Sequence, residues 1–306
     1  MEMNQLLYFV TLVEQATYTK AASLLHISQP SLSMSIKKLE KEIGLTLIDR
    51  STRKSKLTKE GEVLYQEAKN LLNHFEHVKG EMVRLKQRGP LELSIGSIES
   101  SNFWTPKLIK QFKDEYQDIH IKVLEVLSVK DVVHALSNFD IHLAITNQYI
   151  NQDEIEVVPI YEENLVALLP PLHALISKSH LGLADLEGED LIVCREGYQT
   201  RIDIQNACRK SGIKPNIKFE IERFETACSM VEENLGITIV PENYVAYSKN
   251  PSYHIREIND VNISRTVYLA YIKNRYLPPL VLRFMKMIKA FFDDRERKLE
   301  NKENLF

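Results

Sequence analysis

Seven apolar residues, Leu64, Ala68, Leu71, Phe75, Val78, Met82 and Leu85, follow one another at steps of 4, 3, 4, 3, 4 and 3. That alternation keeps one stripe of side chains on one side of a helix for three heptad repeats. The stretch that begins near Thr58 is therefore expected to be a single long helix. "RGP" at 88–90 ends it, with Gly89 as a cap and Pro90 as a stop. The 306-residue chain is thereby divided into 1–58, a linking helix over 59–89, and a remainder of 90–306. A helix this long cannot bury its stripe on a preceding domain of about sixty residues. The stripe is expected to pair with its copy in a homodimer; the alternative is packing against the chain's own C-terminal domain.

Before the linker, Leu6, Phe9, Val10 and Val13 mark a first helix. Thr17 or Thr19 caps a second, whose Ala21 and Ala22 allow another helix to cross closely. "HIS" then turns the chain. Ser28 caps a third helix with Pro30 in its first turn and Leu32, Ile36, Leu39 and Ile43 at helical spacing. Residues of about 18–37 thus form a helix-turn-helix. After Gly44, Leu45, Leu47 and Ile48 read as a short strand and Ser55 to Thr58 as its return. The polar, cationic tip "RSTRK" makes this a β-wing beside the third helix.

The net charge of −3 conceals an asymmetry. Residues 1–89 hold 14 Lys/Arg against 10 Asp/Glu, whereas the rest of the chain holds 25 against 32. Between Lys37 and Lys59 there are eight basic residues and three acids. A local basic patch on an acidic chain suits a polyanion, although charge alone equally describes a solvated helix face. The third helix decides between these. A recognition helix needs an apolar back and a front that reaches base edges in the major groove. Gln29, Pro30, Ser33, Met34 and Lys37 lie on that front. Gln can pair with adenine, Lys with guanine or phosphate, and Pro30 and Met34 can touch a thymine methyl. Arg50, Arg53, Lys54 and Lys56 on the wing suit phosphates or the minor groove. Taken singly, Ser33 could be a surface serine, Met34 a core filler and Lys41 a solvated cation. As an ordered set they point to double-stranded DNA.

The run "AASLLHISQPSLSMSIKKLEKEIGLTLIDRSTRKSKLTKEG" resembles the DNA-binding domain of LysR-type transcriptional regulators. The Ala-Ala pair, "SQPSLS", "LEKEIGLTLIDR" and "LTKEG" match that family's pattern in order and spacing. Further on, "LSNFDIHLAI", "NLVALLPPLHAL", "ADLEGEDLIV" and "ENLGITIVPE" resemble successive segments of its effector domain, so the likeness spans the chain. Met34 stands where many members carry arginine, and Ile48-Asp49 where the family usually has Phe-Glu.

The C-terminal part reads as an α/β domain on its own pattern. Strands at 91–97, 119–126 and 141–146 alternate with helices at 103–116 and "VKDVVHALSNF". Further strands are expected at 163–170, in "LADLEGEDLIVC", at 217–222, in "GITIVPE" and at 266–272. Helices are expected at 201–211, at 225–235 and from "PPLVLRFMKM" onward, with a disordered tail "ENKENLF". The resemblance implies a fold of two parts: an N-terminal all-α winged helix-turn-helix with a long linker helix, and a C-terminal α/β effector domain of two subdomains like a periplasmic binding protein. Subdomain 1 would comprise 91–161 and 266–306, subdomain 2 would comprise 162–265, and a small-molecule effector would bind between them. It also implies tetramers built from pairs of dimers.

Candidate effector contacts cluster at the strand ends that such a cleft would use. "GSIESSN" at 96–102 follows a strand and precedes a helix, a place suited to an anion. Ser97, Ser100 and Ser101 are its first candidates, with helix capping as the alternative for each. Ser128 and Thr146 occupy the same sheet edge. From the other half come Tyr198, Thr200, Arg201 and Thr226. Arg201 suits a carboxylate or a surface salt bridge. The expected effector is a small polar or anionic metabolite, a carboxylate among the possibilities, and Glu99 would oppose an anion if it pointed inward.

Other functions find less support. There is no Gly-x-Ser-x-Gly elbow, no His-Glu-x-x-His and no phosphate loop, and the nine histidines are scattered. Neither an enzyme nor a bound cofactor or metal is expected. Cys194, Cys208 and Cys228 are odd in number and widely spaced, which argues against a disulfide framework. Some members of the family sense peroxide through cysteines, so a thiol switch is the variant reading. "MEMNQLLYFVTLVEQ" lacks the basic start and apolar core of a signal peptide, and no apolar run reaches the length of a membrane span. That disfavours an exported solute-binding protein, and a cytoplasmic location is expected.

Overall fold

The computed structural model describes residues 1–49, 56–87, 91–246, 251–259 and 263–303. The chain forms two compact units, Met1–Gly89 and Pro90–Phe306.

In the first unit, α1 (Met3–Gln15), α2 (Tyr18–Leu24) and α3 (Gln29–Ile43) pack around Phe9, Leu12, Ala21, Ala22, Leu32, Ile36 and Leu39, all buried. Thr17 caps α2 by accepting from the Lys20 N–H. The Ser28 hydroxyl accepts from the Ser31 N–H at 3.2 Å, so the turn and the start of α3 are fixed by the residues expected to fix them. His26 takes φ 54° in that turn, and Gly44 ends α3 with φ 74°. β1 (Ile48–Asp49) and β2 (Lys56–Leu57) pair antiparallel as the base of the wing. Its tip, with Arg50, Arg53 and Lys54, lies outside the described residues.

α4 (Lys59–Gln87) is one continuous helix of 29 residues. The structure corrects part of the expected stripe. Ala68 is buried with Leu6 and Val10 of α1, and Leu64 packs on the same cluster, so the first two positions are occupied within the unit. Helix α1 has an apolar flank that the three-helix core leaves uncovered, and the start of α4 covers it. Leu71, Phe75, Val78 and Met82 remain 44–56% exposed. The side chain of Leu85 is outside the described residues.

The second unit is a single path of strands with two cores on each side of a crossing. Lobe I holds β3 (Leu91–Ser97), α5 (Thr105–Glu115), β4 (Ile119–Glu125), α6 (Val129–Ser137) and β5 (Leu143–Thr146). β6 (Ile155–Leu169) then runs through both lobes. Lobe II adds β7 (His180–Leu181), β8 (Asp190–Cys194), α7 (Gln199–Lys210), β9 (Asn216–Ile221), α8 (Phe224–Glu232), β10 (Ile237–Pro241), α9 (Glu242–Val245) and β11 (His254–Ile258). β12 (Ser264–Ile272) returns to lobe I, and α10 (Pro279–Glu303) closes it. The strand order is β4-β3-β5-β12-β6-β10-β8-β9, with β11 also on β6.

Strand periodicity explains the layers. In β6, Leu165, Ala167 and Leu169 face one lobe II core, while Val166 and Leu168 face the other. In lobe I, Leu93, Ile95, Trp104, Phe112 and Phe284 fill one side of the sheet, and Val132, Ile141, Ala144 and Ala270 the other. The strand expected at 163–170 is only the second half of β6. Its first half pairs with β12 in spite of Pro159, because a bulge leaves Ile160 without an opposing residue beside that proline. Of the tail expected to be disordered, residues 300–303 belong to α10, and 304–306 lie outside the described residues.

Gly61 tests the junction of α4 with the wing. A Cβ there would run into the main-chain carbonyl of Leu47, which cannot swing aside. Gly61→Ala should destabilise the first unit by roughly 1–3 kcal/mol, outweighing the ~1 kcal/mol that alanine gains in a helix. Hydrogen exchange of the α1–α3 amides in the full chain would read the loss.

Candidate functional site

The candidate recognition surface is one face of α3. Leu32, Ile36 and Leu39 are fully buried behind it. In front, Gln29, Pro30, Met34 and Lys37 are exposed and Ser33 is half-buried. Met34 is 69% exposed, which removes the core-filling alternative. Lys56 is exposed on β2. Glu40 was not foreseen as important. Its Oε1 accepts from the N–H groups of Leu47 and Ile48 at 2.9 and 3.3 Å, tying the back of α3 to the start of the wing. Lys38, by contrast, is engaged by Glu2 and sits near Glu42, which takes it out of the front.

The second site lies where β6 and β12 cross together from one lobe to the other. Glu163 stands opposite Arg265 in their register. Arg265 Nε and Nη2 reach Glu163 Oε1 at 2.8 and 2.7 Å, with the side chains 5% and 0% exposed. Nη2 also donates to Ser100 Oγ at 3.2 Å, and Nη1 to Thr200 Oγ1 at 2.7 Å. Ser100 in turn donates to Glu163 Oε1 at 2.9 Å, and Asn243 Nδ2 to Oε2 at 3.1 Å. Groups from both lobes thus converge on one buried ion pair. Neither charged residue was singled out from the sequence. Each falls at the end of a strand pattern, where nothing in the spacing separates a buried charge from an exposed one.

Beside this pair is a small cavity between the lobes. Ile98, Glu99, Ser100, Leu127, Asn147 and Arg265 line it from one side. Cys194, Tyr198, Gln199, Thr200 and Phe224 line it from the other. Its volume is about 20 Å³ open to the centre of a water molecule, room for a water and too little for a metabolite. The lobes are drawn together around it. The N–H of Phe224 donates to both Glu99 oxygens at 3.2 and 3.4 Å, Ser128 bridges to Tyr198, and Arg223 pairs with Glu125.

Of the residues expected to meet an effector, Ser100, Tyr198 and Thr200 line the cavity. The others do not. Ser97 and Ser101 are buried against each other at 2.6 Å, and Ser101 donates to the Ile98 carbonyl, so both hold the turn itself. Ser128 caps α6 in a reciprocal pair with Asp131. Thr146 is fully buried and accepts from the Gln148 N–H. Arg201 is buried, donating to the Cys194 carbonyl and pairing with Glu220 at 2.8 Å, and is neither a surface residue nor a cavity wall. Thr226 is exposed on α8, because the α8 face that packs inward carries Phe224, Ala227 and Val231.

Glu99 points inward. Burial pushes its carboxyl up to about 6, against the opposing pull of the Phe224 N–H and Arg223. Burial also pushes the Cys194 thiol up to about 12, with Glu99 adding to it, and Cys228 to about 11. Both are held as protonated thiols, the reverse of a reactive thiolate, so the thiol-switch variant gains no support.

Removing one partner of the ion pair leaves the other charged and buried. Glu163→Ala should cost about 3–5 kcal/mol, and Glu163→Met with Arg265→Met should recover most of it. Urea denaturation of the two variants would show the contrast; a cost below about 1 kcal/mol for the single change would mean that the crossing does not depend on the pair.

Both units match known proteins. A family model described as a bacterial regulatory helix-turn-helix protein of the lysR family matches residues 3–62, and one described as a LysR substrate binding domain matches 87–293. The uncharacterized HTH-type transcriptional regulator YcgK of Bacillus subtilis (strain 168) is 30% identical, covering 96% of this chain and 97% of its own. AlsR, an HTH-type transcriptional regulator of the same organism, is 27% identical over 93% of this chain and 94% of its own. Among solved structures, CbnR complexed with its target DNA shares the fold at TM-score 0.70 and 23% identity, covering 95% of this chain and 99% of that one. Full-length BenM aligns at TM-score 0.60 and 25% identity over 97% of each chain. Each unit is matched separately, and both matches lead to one family in the same order along the chain: this protein belongs to the LysR-type transcriptional regulators, with a DNA-binding domain followed by an effector-binding domain.

Proposed function

We propose that α3 reads operator sequence through Gln29, Pro30, Ser33, Met34 and Lys37, while Lys56, with Arg50, Arg53 and Lys54 on the same wing, grips phosphates. The observation that carries this reading is the division of α3 into a fully buried apolar face and an exposed amide-and-lysine face. The protein acts in this reading as a regulator and not as a catalyst, which the family of both units supports. Binding chromosomal operators places it in the cytoplasm, and among the described residues no helix is long and apolar enough to cross a membrane. The cavity between the lobes takes the effector once they part. Two domains that share this fold at lower identity are bound to small molecules, the CcmR regulatory domain to 2-PG and the QuiR effector-binding domain to shikimate, and by analogy this domain takes a small polar metabolite.

DNA contacts of the two kinds should respond differently to mutation. Gln29→Ala should relax base preference at its position in a binding-site selection. Lys56→Ala should weaken all sequences alike and reduce the slope of affinity against salt by about 1. An unchanged preference profile for Gln29→Ala would displace the recognition face from α3.

The exposed stripe of α4 supports assembly. Leu71, Phe75, Val78 and Met82 continue the heptad steps beyond the part covered by α1, and a second copy of α4 offers the same steps. Homodimers through α4, and tetramers through the effector domains, follow from this reading. Leu71→Glu with Phe75→Glu should give monomers in sedimentation and lose operator affinity; a doubly substituted chain that still sediments as a dimer would place the interface elsewhere.

A further inference from the structure

We propose that the effector of this protein carries a cationic nitrogen, an ammonium or amidinium, that pairs with Glu99 in the cavity between the lobes. The inference rests on the reading of that cavity as the effector site and adds the chemistry of what enters it.

Only Glu99 and Arg265 among the lining residues are ionic. Arg265 has little left to offer a ligand: all three of its nitrogens already donate, to Glu163, Ser100 and Thr200, and its charge is cancelled by a carboxylate with no exposure. Glu99 has no such partner. It accepts one main-chain N–H, from Phe224, whereas a carboxylate can accept about four hydrogen bonds. The nearby cations are committed elsewhere, Arg223 to Glu125 and Arg265 to Glu163, and Glu225 beside Arg223 adds a like charge. Among the described residues Glu99 is therefore a wall carboxyl without an ion-pair partner of its own, drawn on by Arg223 and Arg265 only from a distance.

A second observation lies behind Gln199. Asp203 binds its amide through Oδ1 at 2.7 Å, and Asp203 Oδ2 is buried without a hydrogen-bond partner among the described residues. It adds another carboxylate near Arg265 and makes an incoming anion still less favourable. The remaining walls suit a cation. Ser100, Asn147 and Gln199 offer neutral polar groups, and Phe224 and Tyr198 complete the lining, the Tyr198 ring being already engaged by the Arg195 guanidinium at 5.1 Å. Burial without a counter-ion is costly for Glu99, and an ammonium group, about the size of a water, would return that cost. The ammonium group would sit where the lobes meet, since the same carboxylate bonds Phe224 across the cleft, while the rest of the ligand requires the lobes to part. A carboxylate elsewhere on the ligand is compatible with this; a ligand with anionic groups alone is not.

The test is thermal unfolding of the full chain with matched probes at pH 7. The panel contains aliphatic diamines, amino acids and guanidino compounds, each set against the diol or dicarboxylate of the same carbon chain. At least one amine should raise the melting temperature while its diol and dicarboxylate do not. Glu99→Gln and Glu99→Ala should weaken that amine by about tenfold to a hundredfold, the scale of one hydrogen bond to a charged group. The pH dependence has a definite sign. Glu99 must be ionised to take the amine, so affinity should rise between pH 5 and 7 and then level off, and Glu99→Gln should flatten the profile. Without ligand the raised carboxyl acts the other way: its contribution to stability is lost as pH rises from 4.5 through about 6, so Glu99→Gln should melt higher than the parent at pH 7. No response to any amine, or a response that survives both substitutions at Glu99, overturns the proposal. A dicarboxylate that stabilises the parent and binds better to Glu99→Gln overturns it too, while leaving the cavity as the effector site. Any stabilising ligand indifferent to Glu99→Gln and to the wall-filling Leu127→Trp would remove the cavity itself.

Discussion

The second unit depends on one buried ion pair, Glu163 with Arg265, placed where two antiparallel strands leave one lobe for the other. Lobes joined by a single strand could twist freely. Two strands bonded side by side resist twisting, and they still allow bending at the point where their side-chain packing changes cores. In β6 that point lies between Tyr161, which packs on a lobe I core, and Leu165 and Val166, which enter the two lobe II cores. A buried charge pair is seldom the most stabilising filling for such a place. It does, however, require partners at fixed angles, and here Ser100, Thr200 and Asn243 supply them from three segments. The pair therefore sets the distance between Ser100 and Thr200, which are walls of the cavity. Geometry at the crossing becomes geometry in the site.

The DNA-binding unit reaches its fixed geometry by other means. Its core is mostly apolar, with Gln5 and Thr11 of α1 as buried polar residues, and α3 is located by Ser28 at one end, Gly44 at the other and Glu40 along its back. This leaves Gln29, Met34 and Lys37 free of structural duty. A surface that must adapt to base sequence can then vary without unfolding the domain. The cleft has no such separation, since Ser100 and Thr200 both line the cavity and hold the ion pair.

That difference explains what could be read from the chain and what could not. Turn, cap and heptad signals are local, so the helix-turn-helix, the wing and the length of α4 were legible from residues such as Ser28, Pro30, Gly44 and Leu71. The occupation of Leu64 and Ala68 by α1 was less so, because it is a tertiary choice between two uses of one stripe. In the second unit, the strands came through where alternation or apolar runs marked them. The first half of β6 did not, since Pro159 argues against a strand unless a bulge absorbs it. The serines near residue 100 were visible as a group, but hydroxyl residues at a turn bond one another as readily as a ligand. Ser97 and Ser101 do the former and Ser100 lines the cavity. Arg201 and Arg265 look alike in sequence, but α7 turns Arg201 onto the Cys194 carbonyl and Glu220, whereas the register of β12 with β6 sets Arg265 on Glu163 beside the cleft.

A cavity with room for about one water sets the energetic scale of regulation. The lobes are joined across it by few polar links: Glu99 to Phe224, Thr200 to Arg265, Ser128 to Tyr198, and Arg223 to Glu125. Each is worth on the order of 1 kcal/mol net, so these polar links together contribute only a few kcal/mol to holding the lobes at this distance. A ligand shifts an equilibrium between open and closed lobes only by its difference in affinity for the two states. A tenfold preference supplies about 1.4 kcal/mol, and a shift from mostly open to mostly closed needs about 5.5. One new charge-assisted contact at Glu99 falls at the lower end of that range, enough to bias the lobes without locking them. A regulator that must let go of its signal needs a bias of that size, and a cleft already closed by weak links, with one carboxylate left short of partners, can be moved by it.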